Sequence, residues 1–178
     1  MNAKQIRPGA KIAAVHEAGH AVVAAYLGVP VDCVQLSSYW VDPLSIFRQS
    51  DFSGGGVSYL PNETLQLTEH AIISAAARIA VDELIRPGAH PEMAYSDDED
   101  CLQEIADELR VSDFRDWRLS ILERAREIIS NGSVRAAILR VADDLQAAPL
   151  EAGLTGEHVR EVLRACETAG ETRLETSE

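Results

Sequence analysis

The chain has 178 residues, a length that fits one domain, and 46% of them are hydrophobic, which is enough to form a folded core. Only 5% are aromatic, so the core must consist mostly of Ala, Leu, Ile and Val, a composition that favours packed helices over a large sandwich or barrel. The net charge of −13 argues against a nucleic-acid partner and against docking on an anionic membrane, because both need a basic face.

The cysteines and the apolar segments indicate the cellular compartment in which we expect the protein. Cys33, Cys101 and Cys166 are odd in number and widely spaced, and they form no disulfide framework, which is typical of a reducing compartment. Residues 1–11 lack the apolar run of a signal peptide, and the weakly polar stretch 18–31 is too short to cross a bilayer. We therefore expect a cytoplasmic protein without a membrane span.

Helical patterns alternate with short strand-like runs in the N-terminal half. Apolar spacing and the glycine and proline positions set the expected boundaries. In chain order, we expect a helix over 11–27, a strand over 31–36, a loop or lid over 37–53, a strand over 57–60 after the glycines 54–56, and a helix over 64–85.

The C-terminal half is predicted to be helical. Ser96 is the expected N-cap of one helix, because Ser96-Asp97-Asp98-Glu99 fits the capping-box pattern, and Ser112 is the expected N-cap of the next. The predicted helices cover 96–109, 112–131, 133–147 and a final segment from Thr155. The whole predicts a single mainly α domain with a small β-sheet (α+β) over residues 1–170, with 171–178 as a frayed tail.

One motif in the first predicted helix indicates metal chemistry. His16-Glu17-Ala18-Gly19-His20 is an H-E-x-x-H sequence, in which His16 and His20 lie one turn apart on one face and can bind one ion at about 2.0–2.1 Å. Glu17 is rotated by about 100° and can instead take a proton from a metal-bound water. The alternative is two ordinary helix histidines and a solvated acid. The apolar residues flanking the motif argue against it, because burying these polar groups unpaired is costly.

A catalytic zinc site needs a third protein ligand, and spacing alone does not identify it. The metzincin extension would place Gly at position 23 and His at position 26, whereas this chain has Val23 and Tyr26, so that class is excluded. The remaining candidates are Glu63, Glu69, His70, Asp82, Glu83, His90, Glu92, Asp97, Asp98 and Asp100.

The motif and its surroundings resemble a known family. The segment 13–24, AAVHEAGHAVVA, resembles the protease domain of FtsH, the ATP-dependent zinc metalloprotease. Weaker similarities follow in the same order along most of the chain. These are an edge strand at 55–59, the family's G-G-R-A-A-E-E helix at 76–84, its N-D-L-x-x-A-x-x-I-A helix start at Asp98, and its closing helix at 154–159.

The resemblance implies an FtsH protease-domain-like zincin fold and a third zinc ligand at the start of a later helix. By this resemblance, that ligand is Asp98, and Asp97 is the alternative. A purely structural role is also open to these residues, because an acid in the first turn of a helix interacts favourably with the helix dipole. The chain departs from the family at Ala76-Ala77, where the family has Gly-Gly, at Leu102 in place of Ala, and in the residues before Asp98.

These observations lead to a functional expectation. We expect a zinc metalloendopeptidase in which His16, His20 and Asp98 hold Zn²⁺ and Glu17 activates the attacking water. Its substrates would be peptides or unfolded proteins. The chain has no G-x-x-x-x-G-K-[ST] sequence, so folded substrates would need a separate ATPase partner. The alternative is a catalytically idle zinc-binding interaction domain derived from a peptidase. The related proteases form hexameric rings, so an oligomer is compatible with the resemblance.

The predicted strand edge beside the motif is a candidate substrate-binding segment. Gly55, Gly56, Val57 and Ser58 offer backbone that a peptide can approach closely and pair with as an added strand. A plain flexible turn is the alternative interpretation.

Overall fold

The computed structural model describes residues 8–36, 56–59, 67–87, 96–149 and 152–175. These ranges form six helices and three short strands, so the prediction of a mainly helical chain with a small sheet is confirmed there. The elements are α1 (Pro8–Tyr26), β1 (Val31–Gln35), β2 (Gly56–Tyr59), α2 (Leu67–Leu84), α3 (Ser96–Glu108), α4 (Phe114–Ser130), α5 (Gly132–Ala147), β3 (Leu154–Thr155) and α6 (Gly156–Glu175). The predicted loop or lid at 37–53 lies outside the described residues.

Helix α1 is the centre of the core. Every residue from Ala13 to Ala24 is buried, and α2, α5 and α6 pack around the helix together with β1. A helix that is apolar on all sides belongs in a protein interior. The three polar side chains that it carries there, His16, Glu17 and His20, must therefore find compensating partners inside the protein.

Small residues let α1 and α2 approach closely. A Cβ added at Gly19 would lie 2.9 Å from the Cβ of Ala80 and 3.0 Å from the Cα of Ala77. Ala76, Ala77 and Ala80 are themselves fully buried. The glycine that permits the contact is thus on α1, inside the H-E-x-x-H motif, and alanines suffice on the α2 side.

The sheet is antiparallel, with β1 between β2 and β3. β1 pairs with β2 from Gln35 opposite Gly56 to Val31 opposite Tyr59, with an irregularity between Val31 and Cys33. Two-residue β3, which the sequence did not predict as a strand, pairs with the other edge of β1. A Cβ at Gly156 would overlap the Val31 carbonyl group, so glycine is required where α6 begins.

Most helix ends lie within a few residues of their predicted positions. Pro8 begins α1 three residues before the predicted start at Lys11, since proline is well tolerated in a first helical turn. The prediction that Ser112 caps the next helix is wrong by one residue. The N-cap is Asp113, whose carboxylate accepts a 3.0 Å hydrogen bond from the Asp116 N–H, because a charged carboxylate is as good a cap as a hydroxyl.

The last helix begins where predicted and ends later. Thr155 immediately precedes α6, and its hydroxyl oxygen accepts a hydrogen bond from the His158 N–H, as expected of a cap. α6 continues beyond the predicted domain limit at 170 to Glu175, so most of the segment expected to fray is helical. None of the helices in the described part of the chain combines the length and the apolar character needed to cross a bilayer.

Candidate metal centre

Two histidines of α1 and one aspartate of α3 converge inside the protein. The Nε2 atom of His16 lies 3.5 Å from Asp98 Oδ2, and the Nε2 atom of His20 lies 3.3 Å from Asp98 Oδ1. The two imidazole rings stand almost perpendicular, with centroids 4.9 Å apart. One possible ligand atom from each residue lies within 4.8 Å of the others, so the three side chains form a single cluster.

The chemistry and spacing of the cluster suit a metal ion. Two imidazole nitrogens and a carboxylate oxygen are common ligands of zinc and of other transition metals. Two ligands that bind zinc at about 2.0–2.1 Å with a tetrahedral angle between them lie about 3.3–3.4 Å apart. The His–Asp distances of 3.3 and 3.5 Å are close to that value. This group can therefore hold a metal ion.

A hydrogen bond to the backbone of α2 sets the orientation of His20. The Nδ1 atom of His20 lies 2.8 Å from the carbonyl oxygen of Ile73, and only a protonated Nδ1 can donate to that acceptor. In the neutral ring, the lone pair is then on Nε2, which is the atom that faces Asp98. Such a partner behind the ligand is typical of metal-binding histidines. The sequence could not reveal this contact, because the acceptor is a main-chain atom.

The structure separates the two aspartates that the sequence left as alternatives. Asp98 points into the cluster and its side chain is 19% exposed, whereas Asp97 is exposed to solvent. Among the residues that the structure describes, none of the other candidate third ligands belongs to the cluster, namely Glu69, His70, Asp82, Glu83 and Asp100. Glu63, His90 and Glu92 lie outside the described ranges.

Glu17 is a buried acid beside the cluster. The residue is 3% exposed and interacts electrostatically with both His20 and Asp98. Burial raises the pKa of the Glu17 carboxyl to about 7; the His20 charge lowers that pKa and the Asp98 charge raises it. A carboxyl group with a pKa near neutrality can both accept and donate a proton at physiological pH.

His20 is strongly influenced by its acidic neighbours. Burial is the largest single influence and lowers the His20 pKa. The Asp98 carboxylate, Glu17 and the Ile73 carbonyl together outweigh burial and raise the pKa to about 9. Without a metal, His20 and Asp98 therefore form a charged pair at neutral pH, and a metal ion must displace the His20 proton in order to bind.

A neutral thiol and a neutral imidazole lie near the cluster. Cys101 Sγ lies 3.3 Å from Ser74 Oγ and 3.9 Å from His70 Nε2. Burial raises the pKa of the Cys101 thiol, and burial together with the His20 charge lowers the pKa of His70. Both groups are thus neutral at pH 7, and neither belongs to the metal-binding cluster.

The candidate substrate-binding segment is only partly described. Gly56, Val57 and Ser58 belong to β2, which forms one edge of the sheet and packs near α1, while Gly55 lies outside the described residues. Among the strands that the structure describes, β2 pairs with β1 alone, which is compatible with strand addition by a peptide on its other side. The peptide-binding role of this segment stays a prediction.

No protein-family model and no curated protein sequence matches this chain.

Proposed function

We propose that this protein is a zinc-dependent metallopeptidase of the FtsH protease-domain type. The observation that carries the proposal is the convergence of His16, His20 and Asp98 with the buried Glu17 beside them. The same three donor types also suit iron(II) or manganese. The H-E-x-x-H arrangement favours zinc, because this motif is typical of zinc peptidases, in which the two histidines bind the metal and the glutamate is the general base.

The ligands would be His16, His20 and Asp98. In the metal-free protein, His20 and Asp98 form an ion pair. When bound, Zn²⁺ supplies Lewis acidity, which polarises a scissile carbonyl and makes water more acidic. The Ile73 carbonyl keeps the Nε2 lone pair of His20 directed at the ion position. Three protein ligands are the number typical of catalytic zinc sites, in which one position is kept for water or substrate.

Glu17 would carry the proton during peptide hydrolysis. Its carboxylate accepts a proton from the attacking water as the new carbon–oxygen bond forms. It then donates that proton to the amine nitrogen as the carbon–nitrogen bond breaks, which leaves a carboxylic acid and an amine. The carboxylic acid gives up its remaining proton to the amine or to solvent, so the products at neutral pH are a carboxylate and an ammonium group. Burial raises the pKa of Glu17 to about 7 in the metal-free protein, and the charge of a bound Zn²⁺ would lower that pKa and favour the carboxylate that accepts the proton.

Peptides and unfolded proteins are the substrates that this proposal favours. The sequence contains no nucleotide-binding G-x-x-x-x-G-K-[ST] motif, so unfolding of a folded substrate would depend on a separate ATPase. An extended peptide could add to the edge of the sheet at β2.

One observation favours a second candidate function, a catalytically idle zinc-binding interaction domain. Glu17, His16 and His20 are only 3%, 5% and 9% exposed, which leaves little of their surface open to a substrate. In that case the metal would stabilise the contact between α1 and α3. The buried Glu17 argues against this function, because burying an acid costs free energy and a purely structural metal site does not require one at this position.

The decisive experiment compares the zinc-loaded wild type with a Glu17→Gln variant. We expect one bound zinc in both proteins, cleavage of unfolded casein by the wild type, and a loss of at least about 100-fold in the variant, in line with general acid–base catalysis. Glu123→Gln on α4, which is exposed, serves as the matched control and should cleave normally.

Two results would contradict the proposed peptidase function or the role of Glu17 in it. Equal cleavage by the wild type and the Glu17→Gln variant would refute the role of Glu17. Stoichiometric zinc with no cleavage of casein or of a peptide library would support the idle interaction domain instead.

A further inference from the structure

A set of charged side chains holds the turn of α3 that carries Asp98. The carboxylate of Glu99, the next residue, accepts two hydrogen bonds from Arg118 on α4, one of them from Nε at 2.7 Å. Arg78 on α2 donates a further hydrogen bond to Glu99 from Nη1 at 3.2 Å. We call these three residues the Glu99 clamp. One carboxylate thus connects the first turn of α3 to two other helices.

The helix geometry lets the clamp act without occupying the metal position. Consecutive residues of a helix point about 100° apart, so Asp98 can face the histidines of α1 while Glu99 faces α2 and α4. An arginine that donates two hydrogen bonds to one carboxylate fixes distance and orientation together. With Arg78 as a second anchor, the clamp restrains both the rotation of α3 and its position along α2.

The first turn of α3 needs such a restraint. The chain places four acids in succession from Asp97 to Asp100, and their mutual repulsion opposes bringing Asp98 close to the protein interior. The Glu99 carboxylate accepts hydrogen bonds from both Arg118 and Arg78, so two guanidinium groups anchor this turn of the helix. The first fully buried apolar side chain that the structure describes on α3 is Leu102, one turn after Asp98.

We propose that Glu99 is a positioning residue for the metal centre, and that the Glu99 clamp keeps Asp98 at the distance from His16 and His20 that a bound ion requires. The inference rests on the proposed metal centre. Partly exposed ion pairs contribute little to overall stability, so loss of the clamp should affect metal binding far more than folding. Partners behind metal ligands typically change metal affinity about 10- to 100-fold.

The test measures zinc affinity by competition with a chelator in the wild type and in Glu99→Gln. We expect the zinc dissociation constant to rise about 10-fold or more, with the thermal unfolding midpoint of the metal-free protein little changed. Cobalt(II) in place of zinc gives a second reading, because displacement of Asp98 should weaken its tetrahedral visible absorption. Glu157→Gln is the matched control. It removes an exposed carboxylate that pairs with Arg160 and should leave zinc affinity unchanged.

A second variant covers the case in which Glu99→Gln fails to fold. Arg118→Lys keeps the positive charge but cannot make the paired hydrogen bonds, and we expect a weaker loss of zinc affinity. If the wild type binds one zinc and both variants bind it equally well, the positioning role is refuted while the metal centre stands. If the wild type binds no zinc, the metal centre itself is refuted, and this inference with it.

Discussion

The Nδ1 atom of His20 donates a 2.8 Å hydrogen bond to the carbonyl oxygen of Ile73, so the main chain of α2 sets the orientation of a candidate metal ligand on α1. The spacing between the two helices therefore controls the metal centre. That spacing depends on Gly19, which lies one residue before His20 and faces Ala77 and Ala80 of α2.

Gly19→Ala should therefore destabilise the protein, although alanine is the better helix former by about 1 kcal/mol. The added methyl group would lie 2.9 Å from the Cβ of Ala80 and 3.0 Å from the Cα of Ala77, and relief requires the helices to separate. An overpacking cost of about 1–3 kcal/mol, less that gain of about 1 kcal/mol, leads us to expect the free energy of unfolding to fall by up to about 2 kcal/mol in urea titrations. Zinc affinity should fall as well.

Gly132→Ala is the control for that measurement. Nothing lies within 4 Å of a Cβ added at Gly132, at the start of α5. This variant should be as stable as the wild type or slightly more stable. A Gly19→Ala protein of wild-type stability would contradict the close packing of α1 on α2.

Asp98→Ala and Asp97→Ala should differ sharply in zinc binding. Asp98 lies within 3.5 Å of both imidazoles, whereas Asp97 is exposed. Removal of a direct ligand should weaken zinc binding by more than the roughly 10- to 100-fold that is typical of groups behind a ligand, and Asp97→Ala should bind normally. Metal analysis after dialysis provides the measurement. Loss of zinc from Asp97→Ala alone would place the ligand one residue earlier.

Zinc affinity should keep rising with pH well above neutrality. The His20 pKa is raised from 6.5 to about 9 in the metal-free protein, so below pH 9 zinc must displace a proton from this ring. We expect the affinity to increase about tenfold per pH unit between pH 7 and 9, since one proton is released. Calorimetry in two buffers of different ionisation enthalpy would count that proton. A plateau above pH 7 would mean that His20 has an ordinary pKa.

Glu17→Gln should stabilise the metal-free protein at alkaline pH while abolishing the proposed activity. The pKa of Glu17 is raised from 4.5 to about 7, so its favourable contribution to stability is complete below pH 4.5 and is lost as the pH rises to about 7. The amide resembles the protonated acid and suffers no such loss. At pH 8 we expect the variant to be more stable by about 3 kcal/mol.

Urea titrations of the metal-free proteins at pH 5 and pH 8 measure that difference. The advantage of the variant should be small at pH 5, where the folded wild type also keeps Glu17 protonated. An advantage of equal size at both pH values would mean that it arises from packing and not from the charge of Glu17.

Local sequence signals were sufficient for the helices and for half of the metal centre. The two histidines and Glu17 share one short helical segment, so helical periodicity alone places them together. Helix ends were also readable from short-range chemistry. Asn131, for instance, donates its backbone N–H to the Ile128 carbonyl oxygen at the end of α4, and its side-chain oxygen accepts a hydrogen bond from the Ser133 N–H at the start of α5.

Contacts between segments that are distant in the sequence leave no local signal from which they could be predicted. Asp98 faces the histidines because α3 packs on α2, and no spacing rule distinguishes it from its acidic neighbours. Residues 154 and 155 form a strand because they pair with β1 on the side opposite β2, a contact that depends on the fold. The Glu99 clamp joins residues of three helices, and each of its members resembles an ordinary surface charge in the sequence.

The central place of α1 also determines when the candidate metal site can form. Because α1 packs against α2, α5 and α6, its histidines reach their places only when segments that lie far apart in the sequence have folded around it. A nascent or truncated chain would offer an isolated pair of imidazoles, with far weaker affinity. Under the proposed function, capture of the ion would then mark completed folding, and the site would stay inactive until that point.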